Sequence, residues 1–281
     1  MKTLFVFLVV TLLWLSPRAL TSANAQELTS KKVCELGKPQ CVTLVIREME
    51  RRYKPLAKRC DHDAVFALNY LRTTEVFQQT LDEVNYSNPS AVIRQDALFA
   101  EYYFRADDAY HTGKGNVPPV WQITFDAAQN RSVSGAGNIA LGINAHIQRD
   151  LPFVLYELYL QSRPVSYEDH TRVNDFLQQV NPLRELAEKF DPTIEYQDVP
   201  GDEDDRQRFE TIVQWREGAF RNYERLRNAS TDVERMQVVK EIEEFAAGIA
   251  QFLQQSFSYP PGSDNSERDT YCQEQERRRL Y

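Results

Sequence analysis

Apolar residues recur along this chain at intervals of three and four, and no stretch alternates strictly enough to predict a strand. The pattern predicts an all-α, single-domain multi-helix bundle. A short helix is expected over Val42 to Arg52, ending near Pro55. A longer one, capped by Asp61 or Asp63, turns Val65, Leu68, Leu71, Phe77, Leu81 and Val84 inward. Asn88-Pro89 opens a third, which carries Ile93, Leu98, Tyr102 and Ala106 to the core and runs to about His111, where the Gly113–Gly115 stretch stops it. Pro118-Pro119 starts a short helix holding Trp121 and Phe125, and Ser134-Gly135-Ala136-Gly137 reads as a turn. Further helices are expected from Tyr167 to Val180, Pro182 to Phe190, Arg206 to Arg227 and Thr231 to Phe257. The last opens on the capping box Thr231-x-x-Glu234. Between them the acidic segment Asp191 to Asp205 reads as a solvated loop.

One segment breaks the pattern. From Ile139 to Pro152, polar residues fall among apolar and small ones, so that Asn144, His146 and Asp150 are placed inside an otherwise buried helix that Pro152 is expected to end. Polar groups there are costly unless paired, so they form either a hydrogen-bonded core network or a site.

The ends and the charge narrow the class. Lys2, an apolar run from Leu4 to Leu15 and the small residues Thr21 to Ala25 read as a secretory leader over residues 1–25. That run covers roughly 18 Å as a helix, short of the roughly 30 Å a membrane span needs. No later segment is long and apolar enough to span, so a secreted chain is expected, periplasmic if the source is bacterial. Its net charge of −8 becomes −10 without the leader's Lys2 and Arg18, which argues against nucleic acid as a partner. A cysteine-bearing segment over 26–60, a helical domain over 61–257 and a polar tail over 258–281 then remain.

Cys34, Cys41, Cys60 and Cys272 suit two disulfides in an oxidising compartment, one of them tying the tail to the N-terminal segment; all three pairings are open. Asn85, Asn130 and Asn228 each begin an N-x-S triplet, the acceptor pattern of a glycoprotein.

Four histidines carry most of the candidate chemistry. Residues four apart share a helix face, so His146 faces with Asp150 and His111 with Asp107. A carboxylate beside an imidazole fixes its tautomer and raises its basicity, as a general base or metal ligand requires. An ordinary salt bridge or a satisfied core histidine is the plainer outcome for each pair. His170 and Asn174 make a third polar grouping, whereas His62 reads as a first-turn residue. Trp215 and Arg221 lie six apart and do not share a face, so Arg221 can reach an anionic ligand while Trp215 packs. No nucleophile elbow, Walker loop, dinucleotide fingerprint or H-E-x-x-H motif occurs.

The residues Val117-Pro118-Pro119-Val120-Trp121-Gln122, then Gly142 to Pro152 with its N-A-H-I-x-x-D-L-P core, then Thr171-Arg172-Val173-Asn174, resemble the family called domain of unknown function 5995. The resemblance runs from about Asp63 to Gln254 and takes in Phe99 to Asp108 and Trp215 to Arg221. It implies a helical single domain and names no activity. By its pattern Asn144, His146, Asp150 and Asp108 are shared positions and His111 is not. More loosely, the H-x-x-x-D helix is similar to one in secreted zinc-dependent phospholipases C and single-strand nucleases, which use more histidines than this chain has.

The expected function is therefore a metal-assisted hydrolase with a His/Asp site, its alternative a small-molecule binder of the extracellular space. His146, Asp150 and Asn144 are the expected catalytic residues. His146, Asp150, Asp108 and His170 would hold a divalent metal such as zinc, and Tyr103, Trp121, Trp215 and Arg221 would meet the substrate.

Overall fold

The computed structural model describes residues 28–194 and 203–279. Among them there is no strand, only an isolated bridge between Val133 and Ser258. The helices in chain order are α1 (Lys32–Glu35), α2 (Gln40–Lys58), α3 (Asp63–Thr80), α4 (Pro89–Thr112), α5 (Pro119–Gln129), α6 (Gly135–Asn144), α7 (Leu151–Leu160), α8 (Tyr167–Leu177), α9 (Leu183–Lys189), α10 (Glu203–Asn228), α11 (Asp232–Phe257) and α12 (Ser266–Arg279). The expected secretory leader lies outside the described residues, as does most of the acidic loop.

Most of the expected start signals act as local chemistry requires. The Asn88 side chain accepts from the Ala91 amide with Pro89 at the first helical position, and Gly113 ends α4 in the left-handed region at φ 65°. Thr231 and Glu234 complete the reciprocal capping box of α11.

Three expectations are corrected. Helix α2 does not end near Pro55 but runs through it to Lys58. The ring removes one backbone donor in the last turn and leaves free the carbonyl of Arg51, an exposed residue that water can satisfy. Ser134-Gly135-Ala136-Gly137 is not a turn; Ser134 caps α6, and the two glycines form its first turn because neighbours press on them. A Cβ at Gly135 would meet Asp191 and Ile194, and one at Gly137 would meet Phe257 and Val133.

The third correction bears on function. Pro152 does not end a helix. Helix α6, a π-helical turn over Ala145–Asp150 and α7 form one unbroken rod from Gly135 to Leu160, every junction residue being right-handed helical. A proline inside an α-helix collides with the carbonyl four residues back. Here the preceding turn is widened, with the Leu151 amide bonding five residues back to the His146 carbonyl, and the ring is accommodated.

This rod is the axis of the fold. Helices α3, α4, α5, α10 and α11 pack around it, burying Leu141, Leu151, Val154 and Leu155 almost completely. Helix α2 lies against α3 and α4 and sinks Val42 and Val45 into the same core, so the N-terminal segment is part of the domain. Cys34–Cys41 joins α1 to the start of α2, and Cys60–Cys272 fastens α12, formed within the polar tail, to the turn before α3. On α4 it is Tyr103 that is buried. Tyr102 is half-buried and donates its hydroxyl proton to Glu157 at 2.8 Å.

Candidate functional site

The π-turn holds His146 and Asp150 side by side. The imidazole Nδ1 is 3.3 Å from Asp150 Oδ2, and both side chains are buried. Asp150 also accepts from the Trp121 indole at 3.0 Å and from Arg149 Nη1 at 2.9 Å, while Arg149 reaches on to Glu243. A carboxylate with no solvent exposure is thus held by three donors, the arrangement a buried charge requires.

Five rings enclose the imidazole. Phe99 lies flat on it, centroids 3.4 Å apart and planes within 9°, and Tyr70 meets it at 4.4 Å. Phe66, Trp121 and Tyr103 stand at 6.1, 6.3 and 6.4 Å. Burial in this shell pushes the His146 pKa down, and Asp150 opposes the shift only in part. The ring is therefore neutral at pH 7. Nδ1 carries the proton given to Asp150, and the lone pair sits on Nε2, which is buried and has no hydrogen-bond partner.

Phe66 can stand where it does because residue 142 is glycine. A Cβ there would come closer than 3.0 Å to three atoms of the Phe66 ring. Phe99, by contrast, is half-buried and forms the solvent side of the cage.

Other sequence-selected residues lie elsewhere. Asp108 is exposed and pairs with Arg52 through both carboxylate oxygens. His170 on α8 is fully buried, with Nε2 donating to the Arg216 carbonyl at 3.2 Å and burial holding its pKa well down. Asn144 donates to the Ala246 carbonyl at 3.0 Å and so pins α11 to the rod. Trp215 is half-buried and Arg221 exposed on α10, and neither joins the rings around His146. The structure thus brings together His146, Asp150, Tyr103 and Trp121, and leaves Asp108, His170, Trp215 and Arg221 apart from them.

These placements do not suit the expected zinc ligands. Asp150's oxygens already accept from three side chains, Asp108 is committed to Arg52, and His170 belongs to a separate group with Arg216. Among the described residues, no three His, Cys, Asp or Glu side chains gather as a metal would require.

His111 pairs with Asp107 at 3.1 Å and Asp63 at 3.3 Å, which hold its pKa up at about 11. Asp63 still shifts up to about 6, because burial outweighs that contact. His62 is not a mere first-turn residue. It is buried, bonds Asp269 through Nε2 at 2.9 Å and Arg268 through Nδ1 at 3.0 Å, and its pKa falls to about 4 through burial and then through Arg268.

Two groups escaped the sequence reading. Tyr70 lies on α3 at a core spacing, with nothing to mark its hydroxyl as buried and unpartnered. Asp96 lies one turn before Phe99 on α4; its Oδ2 is buried without a partner, and burial raises its pKa to about 8. Burial, and after it Asp96, holds the Tyr70 pKa well above the usual phenol value. An acid raised in the folded state contributes a penalty that grows from about pH 4, where the unfolded group ionises, and is complete above about pH 8. Asp96→Asn is therefore expected to leave stability nearly unchanged at pH 4 and to raise it at pH 7. Denaturant midpoints at the two pH values check this, and a loss of stability at both would mean that Asp96 serves as a needed ion.

The fold and this pair define an all-α, single-domain protein built around a central rod with a buried imidazole–carboxylate pair. The sequence profile of a family of unknown function, DUF5995, matches residues 42–256, and the chain belongs to that family. No curated protein and no solved structure matches it.

Proposed function

We propose that this is a secreted protein that acts on a small molecule by metal-free acid–base chemistry, with His146 Nε2 as the proton acceptor. The observation that carries this reading is the orphaned Nε2 of a neutral, buried imidazole whose other nitrogen is fixed by Asp150. An imidazole so oriented can take a proton from water or a hydroxyl, and the carboxylate behind it stabilises the imidazolium that forms. Hydrolysis is one reaction class that uses such a base, to activate the attacking water. The two disulfides suit an oxidising compartment outside the cytoplasm, and no described helix is long and apolar enough to cross a membrane.

The aromatic cage favours a second reading, capture of a small apolar ligand without turnover. As it stands the interior is tight: a gap bordered by Phe66, Tyr103 and Trp121 has about 10 Å³ free, room for about one water. Either reading therefore requires the rings to move.

The test is hydrolysis of an activated ester, p-nitrophenyl acetate, by wild type and by His146→Ala and Asp150→Asn variants shown to be folded. Losing the base is expected to lower the rate about 10²- to 10⁴-fold. Wild-type rates in His146→Ala would overturn the catalytic reading. Saturable binding of the same ester without turnover in wild type would favour capture.

A further inference from the structure

Helix α12 is held in an unusual way. Among its described side chains only Arg268 and Cys272 are buried, and the rest of its grip is polar. Arg268, 5 % exposed, directs Nη1 at Asn138 Oδ1 (2.9 Å), His62 Nδ1 (3.0 Å) and the Val133 carbonyl (3.1 Å), with Nε 3.6 Å from Asp191. Beside it Asp269 receives His62 and pairs with Arg131, while the Tyr271 hydroxyl donates to the Glu188 carbonyl. The connection to α11 is the exposed stretch Pro260 to Asp264, with Gly262 at φ 89°.

Two small gaps share His62. The outer one, too small for a water, is bordered by Cys60, Cys272, Arg268 and Asp269. The inner one, with room for about one water, is bordered by Asp63, Asn138 and by Phe66, Tyr103 and Trp121, three of the rings that enclose His146. Arg268 borders the outer gap and bonds His62 and Asn138 of the inner one. Helix α12 also lies beyond residue 256, where the family match ends.

We propose that α12 is an intramolecular plug: Arg268 closes the passage that leads under the Cys60–Cys272 bond to the aromatic cage of His146, and displacement of α12 opens it. The mouth so exposed would present the groups that Arg268 leaves, the Val133 carbonyl, Asn138 Oδ1, His62 Nδ1 and the Asp191 carboxylate, beside the His62 Nε2–H and Arg131 that Asp269 releases. The passage rests on the acid–base reading only for what lies at its far end.

Full-length Cys60→Ser/Cys272→Ser and, separately, disulfide-intact Arg268→Ala test the plug. Both are measured by hydrogen exchange and by acrylamide quenching of Trp121 in a Trp14→Phe/Trp215→Phe background. In the double serine variant, exchange in α12 is expected to rise on the order of tenfold or more while α4, α7 and α10 keep their protection. Quenching of Trp121 should rise with it, and Arg268→Ala should show the quenching change without loss of the fold. Continued protection of α12 in the serine variant, or a released α12 with Trp121 still shielded in both variants, would overturn the proposal. Repeating the measurement in His146→Ala separates the two ideas, because the plug should open there just as well whatever His146 does.

Discussion

Asp150→Ala is expected to lower stability by about 3–5 kcal/mol, the largest effect of any single side chain at the site. The carboxylate has no solvent exposure and receives the Trp121 indole, Arg149 and His146. Truncation strands all three donors in the core at once, and Arg149 keeps only Glu243 as its ionic partner. Asp150→Asn keeps the shape but replaces an acceptor-only group by one whose amide nitrogen must face a donor, so it should recover part of the loss. Chemical denaturation of the three proteins checks the order. A cost for alanine below about 1 kcal/mol would mean that the carboxylate is not the hub of this network.

Gly142→Ala is expected to cost about 3 kcal/mol, near the upper end for overpacking a closed core. The added methyl group would overlap the Phe66 ring, and Phe66 is boxed in by Tyr70, Tyr103 and Trp121. Relief requires moving either Phe66 or the rod, so the substitution should also disturb the His146 environment one turn along. A change in the His146 ring resonances together with the lost stability would report this. A variant as stable as wild type would show that the contact between Gly142 and Phe66 is loose.

Much of this architecture was legible in the residues. Cap signals such as Asn88-Pro89 and Thr231-x-x-Glu234 act through one or two local hydrogen bonds, so the sequence alone places them. The resemblance to the family holds over residues 42–256; of the four positions it singled out, Asn144, His146, Asp150 and Asp108, two meet in one pair. The π-turn was not legible, because Pro152 normally signals a helix end and only the surrounding packing of the rod makes widening the better solution. The proposed ligands Asp108 and His170 share no face with His146. Their partners, Arg52 and the Arg216 carbonyl, come from α2 and α10, and neither contact has a local sequence signature. Arg268 was hidden for a related reason: a polar tail reads as solvated until a disulfide and four acceptors from distant elements draw one arginine inside.

The proposed acid–base chemistry depends on the state of one nitrogen, His146 Nε2. The direct measurement is ¹⁵N NMR of the histidine-labelled protein at pH 7, with His146→Gln to assign the ring, before and after addition of zinc. The expected result is a neutral His146 with its proton on Nδ1, an unprotonated Nε2 and no change on adding zinc. A proton on Nε2, or an Nε2 resonance that moves when zinc is added, would contradict it.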